Sequence, residues 1–187
     1  FNASPPADAV FAAAWDLRRG RSAAEVTRNV INTNGDYILA SPEGKYIRTI
    51  YKDLLQREPS PPETASWLSA ISTGTTLNTI ASAIVRSFEY RTVLVQSYYE
   101  RYLGRTSTAA ERTNWVNNLG AGMAREQIIK GFVQSAEFQN RAGNTLPGFI
   151  NLAYQTILGR AATANDQSFW QSQPNPYTAL PNTLLRS

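Results

Sequence analysis

Apolar residues recur along the chain with the spacing of an amphipathic helix, and the same stripe is present three times. In each copy the apolar positions follow i, i+1, i+4, i+5, i+8 and i+9, which places them on one broad helical face. The stripes are Tyr46, Ile47, Ile50, Tyr51, Leu54 and Leu55, then Leu94, Val95, Tyr98, Tyr99, Tyr102 and Leu103, then Phe149, Ile150, Ala153, Tyr154, Ile157 and Leu158. The pattern predicts the first helix of a repeated unit.

Each stripe is followed by the signature of a second helix, in which a hydroxyl residue stands three positions before an acid as in a capping box. The pairs are Ser60 and Glu63, Thr108 and Glu111, and Thr163 and Asp166. A tryptophan follows the acid by about one turn, so we expect its ring to face the core. A third helix is predicted to carry Ile80, Ile84 and Phe88 in one copy and Ile128, Phe132 and Phe138 in the next.

The copies are in register over their whole length. A shift of 48 residues places Tyr51, Arg57, Glu63, Trp67, Ser87, Glu89 and Tyr90 on Tyr99, Arg105, Glu111, Trp115, Ser135, Glu137 and Phe138. A shift of 55 then gives Tyr154, Arg160, Asp166 and Trp170. This third copy stops near Trp170, and the tail after it shows no counterpart of the third helix.

The N-terminal region resembles the late part of a copy, since Glu25 to Tyr37 matches Glu126 to Phe138 in length and Asp36-Tyr37 stands where Glu137-Phe138 stands. Short helices cannot bury their apolar faces alone and must pack on neighbours. The sequence therefore predicts an all-α fold of tandem three-helix units, packed into a helical bundle or short solenoid. Its predicted divisions are a partial unit (1–44), a unit (45–92), a unit with a connector (93–147), and a partial unit with a tail (148–187).

Composition narrows the chemistry that the chain can perform. The chain has no cysteine and no histidine, which excludes disulfides and thiolate metal sites and removes the commonest general base. No run of 18 apolar residues is present, so no membrane insertion is expected. The net charge is +4, and the basic residues are spread along the chain except for Arg18, Arg19 and Arg21. Because nucleic-acid binders concentrate their charge on one face, no nucleic-acid partner is expected.

The repeated polar and aromatic residues have a functional and a structural interpretation. The three tryptophans could stack on sugars or fill the core, and the three arginines could bind an anion or tie helix ends together. Glu89 and Glu137 could act as paired hydrolase carboxylates, but an acid repeated at one position favours a fixed ion-pair partner. Asn32 to Tyr37 is the nearest approach to a calcium loop, and a turn closed by Gly35 explains it better. We assign no catalytic, cofactor-binding or metal residue.

The recurring Tyr51-Lys-Asp-Leu-Leu-Gln-Arg57 segment, with Glu63, Trp67, Ser87, Glu89 and Tyr90, resembles the bacterial domain-of-unknown-function family 4214. The resemblance spans about residues 20 to 170. Family members resemble modules of large secreted, surface-layer and repeat-toxin-like proteins, and are distantly similar to phycobilisome linker domains. The resemblance implies an interaction role without chemistry. Gln56 replaces the usual glycine, and the last copy lacks the third helix.

These observations predict a non-enzymatic structural module, extracellular or at the bacterial cell surface, that self-assembles as an oligomer, filament or layer. The prediction of self-assembly rests on the partial units at the two ends, which would complete each other between two molecules of the chain. One alternative is a module that binds cell-wall polymer, polysaccharide or a surface protein. A second alternative is a linker polypeptide within a larger assembly.

Overall fold

A computed structural model describes residues 41–185, and these residues form ten α-helices and two π-helical segments, with no strand among them. The first four α-helices are α1 (Pro42–Leu55), α2 (Pro61–Ser72), α3 (Leu77–Val85) and α4 (Phe88–Tyr98). They are followed by π1 (Tyr99–Leu103), α5 (Ala109–Gly120), α6 (Arg125–Val133), α7 (Ala136–Arg141) and α8 (Leu146–Ala153). The last are π2 (Tyr154–Leu158), α9 (Ala164–Ser172) and α10 (Pro176–Leu184). The predicted all-α fold class is confirmed.

The chain divides into compact unit 1, Phe1–Tyr90, and compact unit 2, Arg91–Ser187. In unit 1, Ser41 caps α1 by accepting a hydrogen bond from the Gly44 N–H at 2.9 Å, and Pro42 fits the first helical turn, where no donor is needed. The apolar stripe of α1 then packs on α2 and α3. The resulting core consists of Ile47, Tyr51, Leu55, Ile80 and Ile84.

Compact unit 2 has a larger core, rich in aromatic rings. Phe132 on α6 lies among Tyr98, Tyr99, Tyr102 and Trp115, with ring centroids 4.8 to 6.2 Å away. The contacts with Tyr98 and Tyr99 are edge-to-face and that with Trp115 is stacked, and aromatic pairs of both kinds add stabilisation beyond the area that they bury. The remaining core joins α8, π2 and α10 to the same cluster.

The tail after Trp170 corrects the sequence prediction, because it forms a third helix for the last copy. α10 packs against α8, α9, α6 and π2 and buries Leu180 and Leu184. These two leucines keep the four-residue spacing of Ile80 and Ile84. Leu180 follows Trp170 by 10 residues, however, whereas Ile80 follows Trp67 by 13. Because the loop is shorter and the helix contains an internal proline, an alignment without gaps does not show that α10 corresponds to α3.

The predicted third helix is also corrected, because the structure divides it into two elements. In the first copy α3 ends at Val85 and α4 starts at Phe88, whose side chain is 58% exposed instead of lying on the buried face. In the second copy Ser135 starts α7 by accepting a hydrogen bond from the Phe138 N–H at 3.1 Å. The serine therefore marks a new helix start and does not continue the third helix.

The ends of the first helices differ between copies. α1 is α-helical to Leu55, whereas the second and third copies end in π1 and π2. Gly104 and Gly159 terminate the latter two with φ of 71°, a left-handed conformation that glycine adopts without steric cost. Gln56 occupies the same position with φ of 56°, so the departure from the family pattern coincides with local backbone strain.

Replacing Gln56 by glycine is expected to raise the free energy of unfolding of compact unit 1 by about 0.5 to 1 kcal/mol. A residue with a Cβ loses about 1 to 2 kcal/mol in this conformation, and glycine's greater freedom in the unfolded chain offsets part of the gain. Urea denaturation measures the change. Gly159→Ala is the opposite control: an added Cβ there meets no atom within 4 Å, so any loss comes from the backbone. Equal stability of the Gln56→Gly variant and the parent would contradict the argument.

Several predictions concern residues outside those that the structure describes. They are the late partial unit with Asp36-Tyr37, the turn at Asn32 to Tyr37, and the basic cluster at Arg18, Arg19 and Arg21. Within residues 41–185, every helix is too short or too polar to cross a membrane.

Candidate functional site

The repeated motif residues come together as one side-chain cluster in each copy. The first cluster contains Tyr51, Arg57, Glu63, Trp67 and Glu89. The second contains Tyr99, Arg105, Glu111, Trp115 and Glu137. The third contains Tyr154, Arg160, Asp166 and Trp170. Each arginine directly follows the left-handed residue that ends the first helix, so the helix terminus fixes where its side chain starts.

In the first cluster the Arg57 guanidinium is held between two carboxylates. Its Nη1 and Nη2 donate to Glu63 at 2.9 and 2.6 Å. Its Nη2 also donates to Glu89 at 2.9 Å, and its Nε donates to the other oxygen of the same carboxylate. Both carboxylates are thus bound in the bidentate geometry that arginine, unlike lysine, provides. Through these bonds Arg57, which follows the end of α1, contacts Glu63 on α2 and Glu89 on α4.

The second cluster repeats this arrangement. Arg105 donates to Glu111 through Nη1 at 3.1 Å and Nη2 at 2.8 Å. Its Nη2 donates to Glu137 at 2.9 Å, and its Nε donates to the same carboxylate. Nη1 also donates to the Thr106 carbonyl at 3.0 Å. The two copies therefore share donors, acceptors and roles.

A tyrosine and a tryptophan form the inner side of each cluster. The Trp67 indole N–H donates to the Tyr51 hydroxyl at 2.9 Å, and that of Trp170 donates to Tyr154 at 2.8 Å. Trp115 makes the same bond to Tyr99. The arginine of each cluster lies over the ring of its tyrosine, at 5.0, 5.0 and 4.7 Å from the centroid, a cation–π contact. Core tyrosines are thus linked to the outer ion pairs.

The third cluster differs in its number of carboxylates. Arg160 donates through Nη1 to Asp166 at 2.8 Å and to the Ala161 carbonyl at 3.0 Å. Asp166 is one methylene shorter than the glutamates and is also bound by the backbone and hydroxyl of Thr163. Nε and Nη2 of Arg160 make no hydrogen bond to any residue in the described part of the chain. Its side chain is 49% exposed, compared with 37% for Arg57.

The ion pairs stabilise the charged forms of their members. Hydrogen bonds from Arg57 lower the pKa of Glu63 to about 2, and those from Arg105 lower the pKa of Glu111 to about 2. Arg105 also lowers the pKa of Glu137. Burial raises the pKa of the Tyr51 hydroxyl. Each of these shifts leaves the group in its usual charge state at neutral pH, which suits a structural role.

Acid is expected to destabilise the clusters in a defined pH window. A glutamate that titrates near 4.3 when unfolded and near 2 when folded contributes stability above pH 5, and this contribution is lost as the pH falls towards 2. The free energy of unfolding should therefore decrease from about pH 5 to about pH 2. Glu111→Gln should flatten this decrease, as measured by urea denaturation at a series of pH values.

Glu126→Gln is the matched control for that measurement. Glu126 is exposed and makes no ion pair within residues 41–185, so its replacement should leave the pH dependence unchanged. The same pH dependence in the Glu111→Gln variant and the parent would show that the ion pair is not formed in solution.

The remaining motif residues position the second carboxylate. Ser87 accepts a hydrogen bond from the Tyr90 N–H at 3.0 Å, as Ser135 does from Phe138. The serine therefore starts the helix that carries Glu89 or Glu137 in its first turn. Phe138 is fully buried and anchors this turn in the core of compact unit 2. The sequence motif of serine, acid and aromatic residue is thus a cap, an ion-pair partner and an anchor.

The tryptophans are only partly as predicted. Trp170 is buried at 4% exposure, whereas Trp67 and Trp115 are half-buried and pack at the edge of their cores.

Compact unit 2 also contains an open groove of about 720 Å³, lined by Leu94, Tyr98, Tyr102, Ile129 and Ile157, among others. Tyr98 and Tyr102 are nearly buried there, so they offer little ring face for stacking on a sugar.

A family model described as domain of unknown function (DUF4214) matches the chain twice, at residues 37–94 and 91–142. The matches together cover more than half of the 187 residues. Each matched segment contains one cluster with two carboxylates, and the third cluster lies outside both. No curated protein and no solved structure matches the chain.

Proposed function

The chain belongs to the DUF4214 family, which is described as being of unknown function, and we propose that it is a non-enzymatic structural module that self-assembles outside the bacterial cell or at its surface. The observation that carries the proposal is the recurrence of one arginine cluster in every repeat. In the first two repeats, the second carboxylate lies in the first turn of the helix that leads towards the next repeat along the chain. Each of these two clusters thereby fixes the start of that helix to the end of the first helix of its own repeat.

The chemistry of the clusters supports a structural role over catalysis. A catalytic acid or base needs a proton that it can exchange near neutral pH. Glu63 and Glu111 instead have pKa values of about 2, and both are bound by an arginine and by the cap of their own helix. An arrangement of arginine, acid, tyrosine and tryptophan that recurs at the same position in three copies is typical of a repeated joint between helices.

Apolar exposure in the last repeat supports association with another protein surface. Phe169 on α9 is 55% exposed, whereas the first two repeats have Ser66 and Asn114 at this position. Phe169 is three residues after Asp166, so both lie on one face of α9. Aromatic side chains and arginines are enriched at protein interfaces, and this repeat contains both Phe169 and the incompletely paired Arg160. The last repeat thus offers an exposed aromatic side chain and an arginine that is incompletely paired among the described residues.

The particle size of the purified chain tests the proposal. Light scattering over a wide concentration range, with electron microscopy of the same samples, should detect particles much larger than the 20.7 kDa chain. The expected particles are oligomers, filaments or layers whose size grows with concentration, since a head-to-tail contact need not close. A species of 20.7 kDa at every concentration would overturn the proposal.

A further inference from the structure

The open groove of compact unit 2 is lined by residues of both π-helical segments. α4 and π1 contribute Leu94 and the stretch from Tyr98 to Tyr102, α6 contributes Ile129, and π2 contributes Ile157. Its volume of about 720 Å³ is within the range of sites that bind small molecules. π-Helical segments are rare and are frequently found at functional sites, so the chemistry of this groove is a candidate for a function of its own.

Tyr102 brings an unpaired polar group to the groove. The residue is only 3% exposed, and its hydroxyl makes no hydrogen bond with any residue in 41–185. Among the described residues, Arg91 Nε is the one fully buried side-chain polar atom without a hydrogen-bond partner. The Tyr102 hydroxyl is therefore accessible to solvent, and the groove is the opening that this residue lines. Since buried polar groups are nearly always hydrogen-bonded, the hydroxyl is available to donate to a molecule in the groove.

Arg101 places a positive charge beside this hydroxyl. Its Nε donates a hydrogen bond to the Thr156 carbonyl of π2, which fixes the guanidinium. Nη1 and Nη2 make no hydrogen bond or ion pair with the part of the chain that the structure describes. Burial raises the pKa of the Tyr102 hydroxyl, and the charge of Arg101 partly opposes this shift. The groove thus has three N–H and O–H donor groups, of two neighbouring residues, without a partner among residues 41–185.

The pair of Arg101 and Tyr102 is specific to the second repeat. The shift of 48 residues places it on Asp53-Leu54 in the first repeat, and the shift of 55 places it on Thr156-Ile157 in the third. The arginine, tyrosine and tryptophan of the three clusters are, in contrast, the same in every repeat. Because the other two repeats lack both residues, the fold of a repeat does not require them.

Glu100 is the one acid among the residues that line the groove. Its Oε1 accepts a hydrogen bond from Gln96 Nε2 at 2.8 Å, and Gln96 does not line the groove. Glu100 makes no ion pair with Arg101. The charge of the guanidinium is therefore not neutralised by a direct partner, and the glutamate only weakens the attraction of an anion.

We propose that the groove binds a small aliphatic carboxylate of the fatty-acid class. The carboxylate accepts hydrogen bonds from Nη1 and Nη2 of Arg101 and from the Tyr102 hydroxyl, and such charge-assisted bonds are the strong ones. The hydrocarbon chain lies along Leu94, Ile129 and Ile157, where removal of its methylene groups from water supplies the rest of the binding free energy. This binding site is separate from the arginine clusters and does not depend on self-assembly.

Isothermal titration calorimetry of the full chain with decanoate at neutral pH tests the proposal. The expected result is saturable binding of one decanoate per chain, with 1-decanol, which has the same chain without the charge, binding at least about tenfold more weakly. Arg101→Gln should weaken decanoate binding at least about tenfold and Tyr102→Phe about three- to tenfold, since each removes hydrogen bonds to a charged group. Glu100→Gln should tighten binding about two- to threefold, because it removes a like charge near an exposed site.

Arg86→Gln and Tyr177→Phe are the matched controls. Arg86 is exposed and Tyr177 is 36% exposed, and neither lines the groove, so both variants should bind decanoate as the parent does. Circular dichroism verifies that each variant is folded. The comparison of decanoate with 1-decanol uses the parent chain, so it decides even where a variant fails to fold. Absence of saturable decanoate binding, equal binding of the two probes, or unchanged affinity in folded Arg101→Gln and Tyr102→Phe would each overturn the proposal.

Discussion

Replacing Phe132 by alanine is expected to reduce the free energy of unfolding of compact unit 2 by about 3 to 5 kcal/mol, the usual loss for removing a buried phenylalanine ring. The side chain is 3% exposed, and its ring contacts those of Tyr98, Tyr99, Tyr102 and Trp115. The substitution leaves a cavity among large, rigid rings that cannot collapse to fill it. Because whole domains are stable by only about 5 to 15 kcal/mol, this loss is a large fraction of the stability that a compact unit can have.

Phe169→Ala in the same compact unit is the control for this loss. It removes the same atoms from a side chain that is 55% exposed, and substitutions at exposed positions usually change stability by less than about 0.5 kcal/mol. Urea denaturation followed by tryptophan fluorescence compares the two variants. A loss below about 1 kcal/mol for Phe132→Ala would mean that the ring cluster of compact unit 2 is not packed as described.

Much of the fold was predictable because the same helix-forming pattern recurs in each repeat of the sequence. The apolar stripes predicted the first helices, and the hydroxyl and acid pairs predicted the capping boxes at Thr108 and Thr163, both of which the structure contains. Each signal depends on residues close together in sequence, where spacing alone determines which side chains share a helical face. Their recurrence in register also identified the family.

The features that were missed depend on contacts between distant residues or on small changes in length. The helix α10 was not predicted because its loop is shorter and Pro181 interrupts a helical pattern. The π-helical ends of the second and third copies have no simple sequence signature. Phe88 was placed on a buried face because its spacing of four residues from Ile84 continues the apolar stripe, although Ser87 starts a new helix there. A serine followed by an acid and an aromatic residue was the available signal for that start.

The arginine clusters were predicted as helix ties, but their full geometry was not. Arg57 and Glu63 are six residues apart, so their pairing was accessible from spacing, whereas Arg57 and Glu89 are separated by 32 residues. Glu89 lies in the first turn of α4, and only tertiary packing brings it to the arginine at the end of α1. Comparison of the three clusters shows that Arg160 has only one carboxylate partner among the described residues. From the sequence alone, this copy could be recognised only as incomplete.

Replacing Arg57 by glutamine is expected to reduce the free energy of unfolding of compact unit 1 by about 1 to 2 kcal/mol. Hydrogen bonds to charged groups contribute about 1.5 to 3 kcal/mol, and the lower range applies because the side chain is 37% exposed and water screens the ion pairs. The substitution also leaves Glu63 and Glu89 facing each other without a cation and removes the contact with the Tyr51 ring. Arg57→Lys should recover less than half of the loss, because a lysine cannot bind both carboxylates in a fork.

Arg48→Gln separates the effect of the cluster from that of an ordinary surface ion pair in the same compact unit. Arg48 binds Glu58 with both side chains nearly half exposed, and such pairs contribute only about 0.2 to 1 kcal/mol. Urea denaturation of the two glutamine variants should therefore give a clearly larger loss for Arg57→Gln. Equal losses would mean that the two-carboxylate geometry adds nothing to stability beyond an ordinary ion pair. The clusters would then have to be explained by what they bind.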